Sequence, residues 1–302
     1  MRHLQTFHYI EAIMRAGSIR SAADTLNITA SALNRRIQRF EEEFGSEIFE
    51  RLPRGVRLNP AGELVLQHYR ETRSDLSRVR SQVADLSGER RGHVTIAASQ
   101  ALMPYFLPEQ IARYRAEHPG VTFTANVRDR ASAEAELTRF DCDLALVLNP
   151  VHMVDFEVLM SADQRVHAIM RRDHPLAAAS DVRLRQCLDH DHVLPGQAFA
   201  VRAMIEDATA RGSRELQPAL VSDSFDLMRH YVEHENAIAF QIPIGLRLPV
   251  GGPLVSRPVS LRDMAPGKLL LGQMKGRALP VAPAKFAQGL AQALSSLADV
   301  PG

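Results

Sequence analysis

The stretch from Gly17 to Gly45 constrains this chain more than any other. A helix with Leu4, Phe7, Ile10 and Met14 on one face stops at Gly17, as a C-terminal glycine allows. Ser18 can cap a second helix whose inner face is Ala22, Ala23 and Leu26; the adjacent alanines let another helix approach closely. Asn27-Ile28 reads as a turn, with Asn tolerant of left-handed geometry and Ile28 as a plug. Thr29 is a good N-cap for a third helix that turns Leu33, Ile37, Phe40 and Phe44 inward and ends at Gly45. Two helices joined by so short a turn form a helix-turn-helix.

The outward face of the third helix holds the informative chemistry. Ala30, Ser31, Asn34, Arg35 and Arg39 point away from the core, short polar or basic groups gathered near the N-terminus. In helix-turn-helix proteins that end enters the major groove, and its exposed N–H groups favour phosphate. Farther on, Arg51-Leu52-Pro53-Arg54-Gly55-Val56-Arg57-Leu58 reads as a two-stranded wing, with Arg54-Gly55 at its tip to meet a backbone or minor groove. Net charge is only +1, but residues 1–40 carry six arginines against Glu11 and Asp24 before Glu41-Glu42-Glu43 restores the balance. Phosphate contact needs a local basic surface, so the average excludes nothing. The competing reading is a small-molecule-binding cytosolic protein whose N-terminal bundle serves assembly.

Ser18 through Ile37, followed by Phe40-Glu41-Glu42-Glu43-Phe44-Gly45, Ile48-Phe49-Glu50-Arg51 and Leu58-Asn59-Pro60-Ala61-Gly62, resembles the DNA-binding region of the LysR-type bacterial transcriptional regulators. The resemblance implies a winged helix-turn-helix over residues 1–60, contacting double-stranded DNA through Arg20, Thr29, Ala30, Ser31, Asn34, Arg35, Arg36, Arg39 and Arg54. Ala30 stands where the family often has Gln, and Asn34 where it commonly has Ser, so base preference does not carry over.

Asn59 can cap, and Pro60 can open, a helix running to about Ser87, about 40 Å long at ~1.5 Å per residue. Val65, Tyr69, Thr72, Leu76, Val79, Val83 and Leu86 alternate spacings of four and three, a heptad seam. The resemblance implies that this linker helix, residues 61–88, dimerises through Val65, Tyr69, Leu76, Val79, Val83 and Leu86, giving a homodimer or homotetramer. Gly88-Glu89-Arg90-Arg91-Gly92 reads as a hinge.

Strand and helix signals then alternate, from His93–Ala98 to Ala284–Leu297, arguing βαβ units on mostly parallel sheet. The expected fold class is therefore α/β with an N-terminal all-α winged helix-turn-helix and a long linker helix. By resemblance, residues 89–302 form a two-lobed effector domain like a periplasmic binding protein, lobe I being 92–164 and 268–302 and lobe II 165–267. Ligands in open α/β sheets bind beyond the carboxyl ends of the strands. That rule selects Ser99, Gln100, Arg128, Asp129, Asn149, Gly196, Gln197, Phe199 and Gln241. Ser99 and Gln100 also match where the family commonly binds an inducer. Arg128 suits a carboxylate effector, an anionic small molecule, unless it is merely paired with Asp129.

No Walker loop, dinucleotide fingerprint or nucleophile elbow is present, so an enzyme is not expected, nor a cofactor. The Asp189-His190-Asp191-His192 run and the His230/His234 pair lack a zincin's glutamate pattern and read as polar surface, without metal. Cys142 and Cys187 cannot make a disulfide framework; packed thiols are expected over a redox switch, in a reducing cytoplasm. No apolar run is long enough to span a membrane, and the N-terminus does not read as a secretory signal. The whole reading points to a DNA-binding regulator controlled by a small molecule held between two lobes.

Overall fold

In a computed structural model, which describes residues 2–86, 91–210 and 215–298, the chain divides into two compact units, 1–77 and 78–302. The first unit opens with α1 (Arg2–Ala16), α2 (Ile19–Thr25) and α3 (Ala30–Phe44). Ser18 and Thr29 cap α2 and α3 through their side chains, and Gly45 ends α3 in the left-handed conformation. Asn27 takes positive φ in the turn between them. Ile10, Ile13, Ala22, Ala23, Leu33, Ile37 and Phe40 form the core. Phe44 departs from expectation: it is 54% exposed and stacks on Phe40, because the helix ends before its last turn reaches the core.

A two-stranded antiparallel wing follows, β1 (Phe49–Leu52) and β2 (Gly55–Leu58). Its first residues are held by Glu41, whose carboxylate accepts the N–H groups of Ile48 and Phe49. Its second strand docks on the α1–α2 turn, where Val56 N–H donates to the Gly17 carbonyl at 3.0 Å. Gly55 is required there: φ is +116°, and a Cβ would lie 2.2 Å from that carbonyl oxygen.

Asn59 caps α4 (Pro60–Leu86) by accepting from Gly62 N–H at 2.9 Å. The start of α4 belongs to the head. Val65, Leu66 and Tyr69 are buried in its core, and the buried Glu11 carboxylate of α1 takes Arg70 at 3.4 Å and Arg73 at 3.1 Å. The expected separate linker segment is thus divided. Val65 and Tyr69, read as the first steps of a dimer seam, are spent on the head's interior. Leu76, Val79, Val83 and Leu86 are exposed, and so is Leu64, which the heptad reading passed over.

The second unit holds two five-stranded sheets. One is ordered β4 (Val121–Val127), β3 (Gly92–Ala98), β5 (Leu144–Leu148), β12 (Gly267–Met274), β6 (Phe156–Gln164). The other is ordered β11 (Leu254–Pro258), β7 (His167–Arg171), β10 (Ile238–Gln241), β8 (His192–Pro195), β9 (Leu220–Ser222). Helices α5 (Phe106–Glu117), α6 (Arg130–Thr138) and α10 (Val281–Ala298) belong to the first sheet; α7 (Leu184–Leu188), α8 (Ala200–Ala210) and α9 (Phe225–His234) to the second. The chain passes from sheet to sheet at 164–167 and returns at 258–267. Those passages qualify the mostly parallel expectation: the first strand after each crossing is reversed, β12 running antiparallel to its neighbours β5 and β6, and β7 antiparallel to β10 and β11, while the other pairs are parallel. Gly88, Glu89 and Arg90 of the expected hinge lie outside the described residues; Gly92 opens β3.

Candidate nucleic-acid interface and ligand cleft

The exposed face of α3 is chemically selective because most of its cations are already engaged. Arg36 turns toward α1, its guanidinium 5.3 Å over the Tyr9 ring and bonded to Gln5 at 3.3 Å. That placement takes Arg36 off the expected contact face. Arg39 pairs with Glu43 at 2.9 Å, one turn along. Thr29 Oγ1 is occupied in capping and in a 3.3 Å contact with Ser31. Arg35 is exposed with no partner among the described residues, beside half-buried Asn34 and exposed Ser31. Gln38, exposed one turn beyond Asn34, extends the same face; its spacing signalled this, and sequence reasoning missed it.

On the wing, Arg57 is held by Glu50 at 2.7 Å, and that bond keeps the Glu50 carboxyl below its ordinary range. Arg54 at the tip and Arg20 on α2 are exposed, again without described partners. The unit therefore presents Arg20, Arg35 and Arg54 as unpaired cations around short polar groups, which suits phosphate positioning plus base-edge contact.

In the second unit a cleft lies between the two sheets, with Ser99, Arg128, Asp129 and Arg130 on one side and Phe199 and Phe225 among the residues on the other. Its volume is about 20 Å³, room for little more than one water. The lobes are shut on each other by polar contacts. Gln100 Oε1 accepts the Phe225 N–H at 2.9 Å, and Arg229 donates to the Tyr105 hydroxyl at 3.0 Å. Arg247 pairs with Glu109 and sits 5.3 Å over the Tyr105 ring. Gly245 permits this closure, since a Cβ there would lie 2.5 Å from the Ala101 carbonyl oxygen of the opposite lobe.

Residues 3–63 match the family described as bacterial regulatory helix-turn-helix protein, lysR family, and residues 87–295 match the LysR substrate binding domain. The chain belongs to the LysR family. This LysR-type regulator is 28% identical over 206 residues to the RuBisCO operon transcriptional regulator of Allochromatium vinosum, covering 68% of this chain and 67% of that one. Its fold is like that of a full-length OxyR variant from Pseudomonas aeruginosa, with TM-score 0.70, 19% identity, and coverage of 95% and 97%. A structure of full-length CbnR with its target DNA matches at TM-score 0.60 and 15% identity, over 96% and 99%. The chain is thus a LysR-type transcriptional regulator with a helix-turn-helix and an effector-binding domain.

Several ligand candidates of this LysR-type effector domain have structural duties instead. Asn149, at positive φ, extends the β5–β12 pairing beyond the end of β5 by accepting the Lys268 N–H on its side chain at 2.7 Å. Gln241 is buried and donates to the Gly245 carbonyl; Gly196 abuts Asp223; Gln197 is exposed. None of these four is among the cleft walls. Arg128 does reach the cleft, but pairs with Glu136 rather than with Asp129. Asp129 caps α6 through Ser132; burial works to raise its carboxyl, but the Ser132 bonds prevail and hold it below the usual range. Ser99 and Phe199 line the cleft as expected from strand-end placement, and Arg130 was missed because it lies one residue past the loop.

Cys142 and Cys187 are both buried and are not joined in a disulfide. Burial, then the nearby carboxylates of Glu136 and Asp143, raises the Cys142 thiol well above its ordinary range; burial pushes Cys187 up to about 12. Such thiols react poorly at neutral pH. Among the described residues, no group of three or more His, Cys, Asp or Glu is placed to hold a metal, and no helix is long and apolar enough to cross a membrane.

Replacing Gly245 with alanine is expected to wedge the lobes apart, costing the closed form about 1–3 kcal/mol. Small-angle scattering of the Gly245→Ala protein will show a more open effector domain. A profile identical to wild type refutes the tight Gly245–Ala101 approach.

Proposed function

We propose that the regulator binds operator DNA in the bacterial cytoplasm as a homodimer or higher oligomer, without catalysing a reaction. Arg35 leads α3 into the major groove, Ser31, Asn34 and Gln38 read base edges, and Arg20 and Arg54 hold the backbone. The observation that carries this reading is the one cation on the α3 face without a described side-chain partner, Arg35, beside short polar groups. Pairing along the exposed second half of α4 joins two heads, so their half-sites fall one or more helical turns apart. A small molecule entering the cleft shifts the balance between open and shut lobes, and with it the affinity for DNA or its bend.

The test is a salt titration of the full-length protein against genomic fragments selected for binding. Affinity should fall steeply as salt rises, with a slope that counts the phosphates contacted. A protein that ignores duplex DNA at low salt, yet binds small molecules, would be an assembly-dependent binding protein instead.

A further inference from the structure

Among the cleft's charged groups, Arg128 is neutralised by Glu136 and Asp129 is engaged by Ser132. Arg130 is different. Its Nη1 donates to the Asn149 carbonyl at 3.0 Å, while its Nε is shut away from water with no hydrogen-bond partner. An unmet charged donor of this kind costs free energy until something supplies an acceptor.

The anchor is rigid. Asn149 donates its own N–H to the Lys268 carbonyl at 2.9 Å and accepts the Lys268 N–H on its side chain. Its carbonyl therefore holds the guanidinium at Nη1, and the edge formed by Nε and Nη2 contains the unmet donor. That edge is the fork that grips the two oxygens of a carboxylate side-on. Phe199, Phe225, Val147, Leu148 and Ile242 supply the apolar remainder of the walls. From this arrangement we infer that the effector is a small carboxylate with a compact apolar body, held by Arg130 rather than by Arg128. The inference rests on the cleft being the effector site. Asn149 then acts as a positioning residue: it touches no ligand and fixes the angle of the grip. The shut cleft, at about 20 Å³, must open by parting the Tyr105–Arg229 and Glu109–Arg247 contacts before such a molecule enters.

Calorimetry on the full-length protein tests this with acetate, pyruvate, succinate and benzoate, each beside its neutral amide, up to 10 mM. At least one carboxylate should bind about tenfold or more tightly than its amide. Arg130→Gln should erase that preference, Arg130→Lys should restore part of it, and Arg128→Gln should leave it in place. Binding of no carboxylate, or a preference that survives Arg130→Gln, overturns the inference. A second variant separates this failure from failure of the cleft reading. Ser99→Leu fills the half-buried wall, with retained DNA binding as its check on folding. Amides and carboxylates that bind equally, and are both lost in Ser99→Leu, sink the anion grip but keep the cleft. A charge preference that persists in Ser99→Leu places the site elsewhere and sinks both.

Discussion

Replacing Arg35 with alanine in the intact oligomer is expected to lower operator affinity by roughly 10- to 100-fold, as when a bidentate base contact of about 1–3 kcal/mol is lost. Its neighbours cannot take over. Arg36 is committed to Tyr9 and Gln5, and Arg39 to Glu43. The guanidinium is exposed at the leading end of α3, so its removal leaves the fold intact and the loss falls on recognition. The loss should be larger for the selected operator than for random duplex, which separates base reading from phosphate attraction. Arg54→Ala offers the contrast: a uniform weakening across sequences and a salt slope reduced by about one. An Arg35→Ala protein with full affinity and unchanged preference would falsify docking by this end of the helix.

A charge placed at Leu76 is the second large effect. Leu76, Val79, Val83 and Leu86 follow one another at heptad spacing on an exposed flank of α4, 36% to 89% accessible. Apolar side chains repeated in this way on a long helix lie against a partner helix. A glutamate in the seam must give up its hydration without a counter-charge, which costs several kcal/mol per copy. The Leu76→Glu protein should sediment as a monomer at micromolar concentration. Its operator affinity should fall by roughly two orders of magnitude, because the two heads no longer share one effective concentration. The single chain should stay folded, since Leu76 is no part of the head's core. An intact dimer in the ultracentrifuge removes the seam.

The limits of the sequence reading are local and physical. Caps and glycine stops were legible because they act through neighbours: Ser18, Thr29, Asn59 and Gly45 do what their spacing demands. Strand β11 is faint in the sequence because it holds Pro258, which only an edge strand tolerates. Strand β6 is faint as well, because its burial does not alternate regularly at the edge of its sheet. The heptad pattern through Val65 and Tyr69 was real, yet periodicity cannot say which of two surfaces a helical face meets. The head met it first, helped by the Glu11 grip on Arg70 and Arg73.

Sequence alone determined that the chain makes a winged helix-turn-helix, a long helix and α/β lobes, since propensity, capping and hydrophobic period are written between near neighbours. Tertiary structure decided which charged groups remain available. Arg36 pairs with a residue 31 positions away, and Arg130 is anchored by one 19 positions along. Electrostatic partnership depends on distance in space, so the division between spent and unspent cations, Arg128 against Arg130 and Arg36 against Arg35, arises only when the fold brings their partners close.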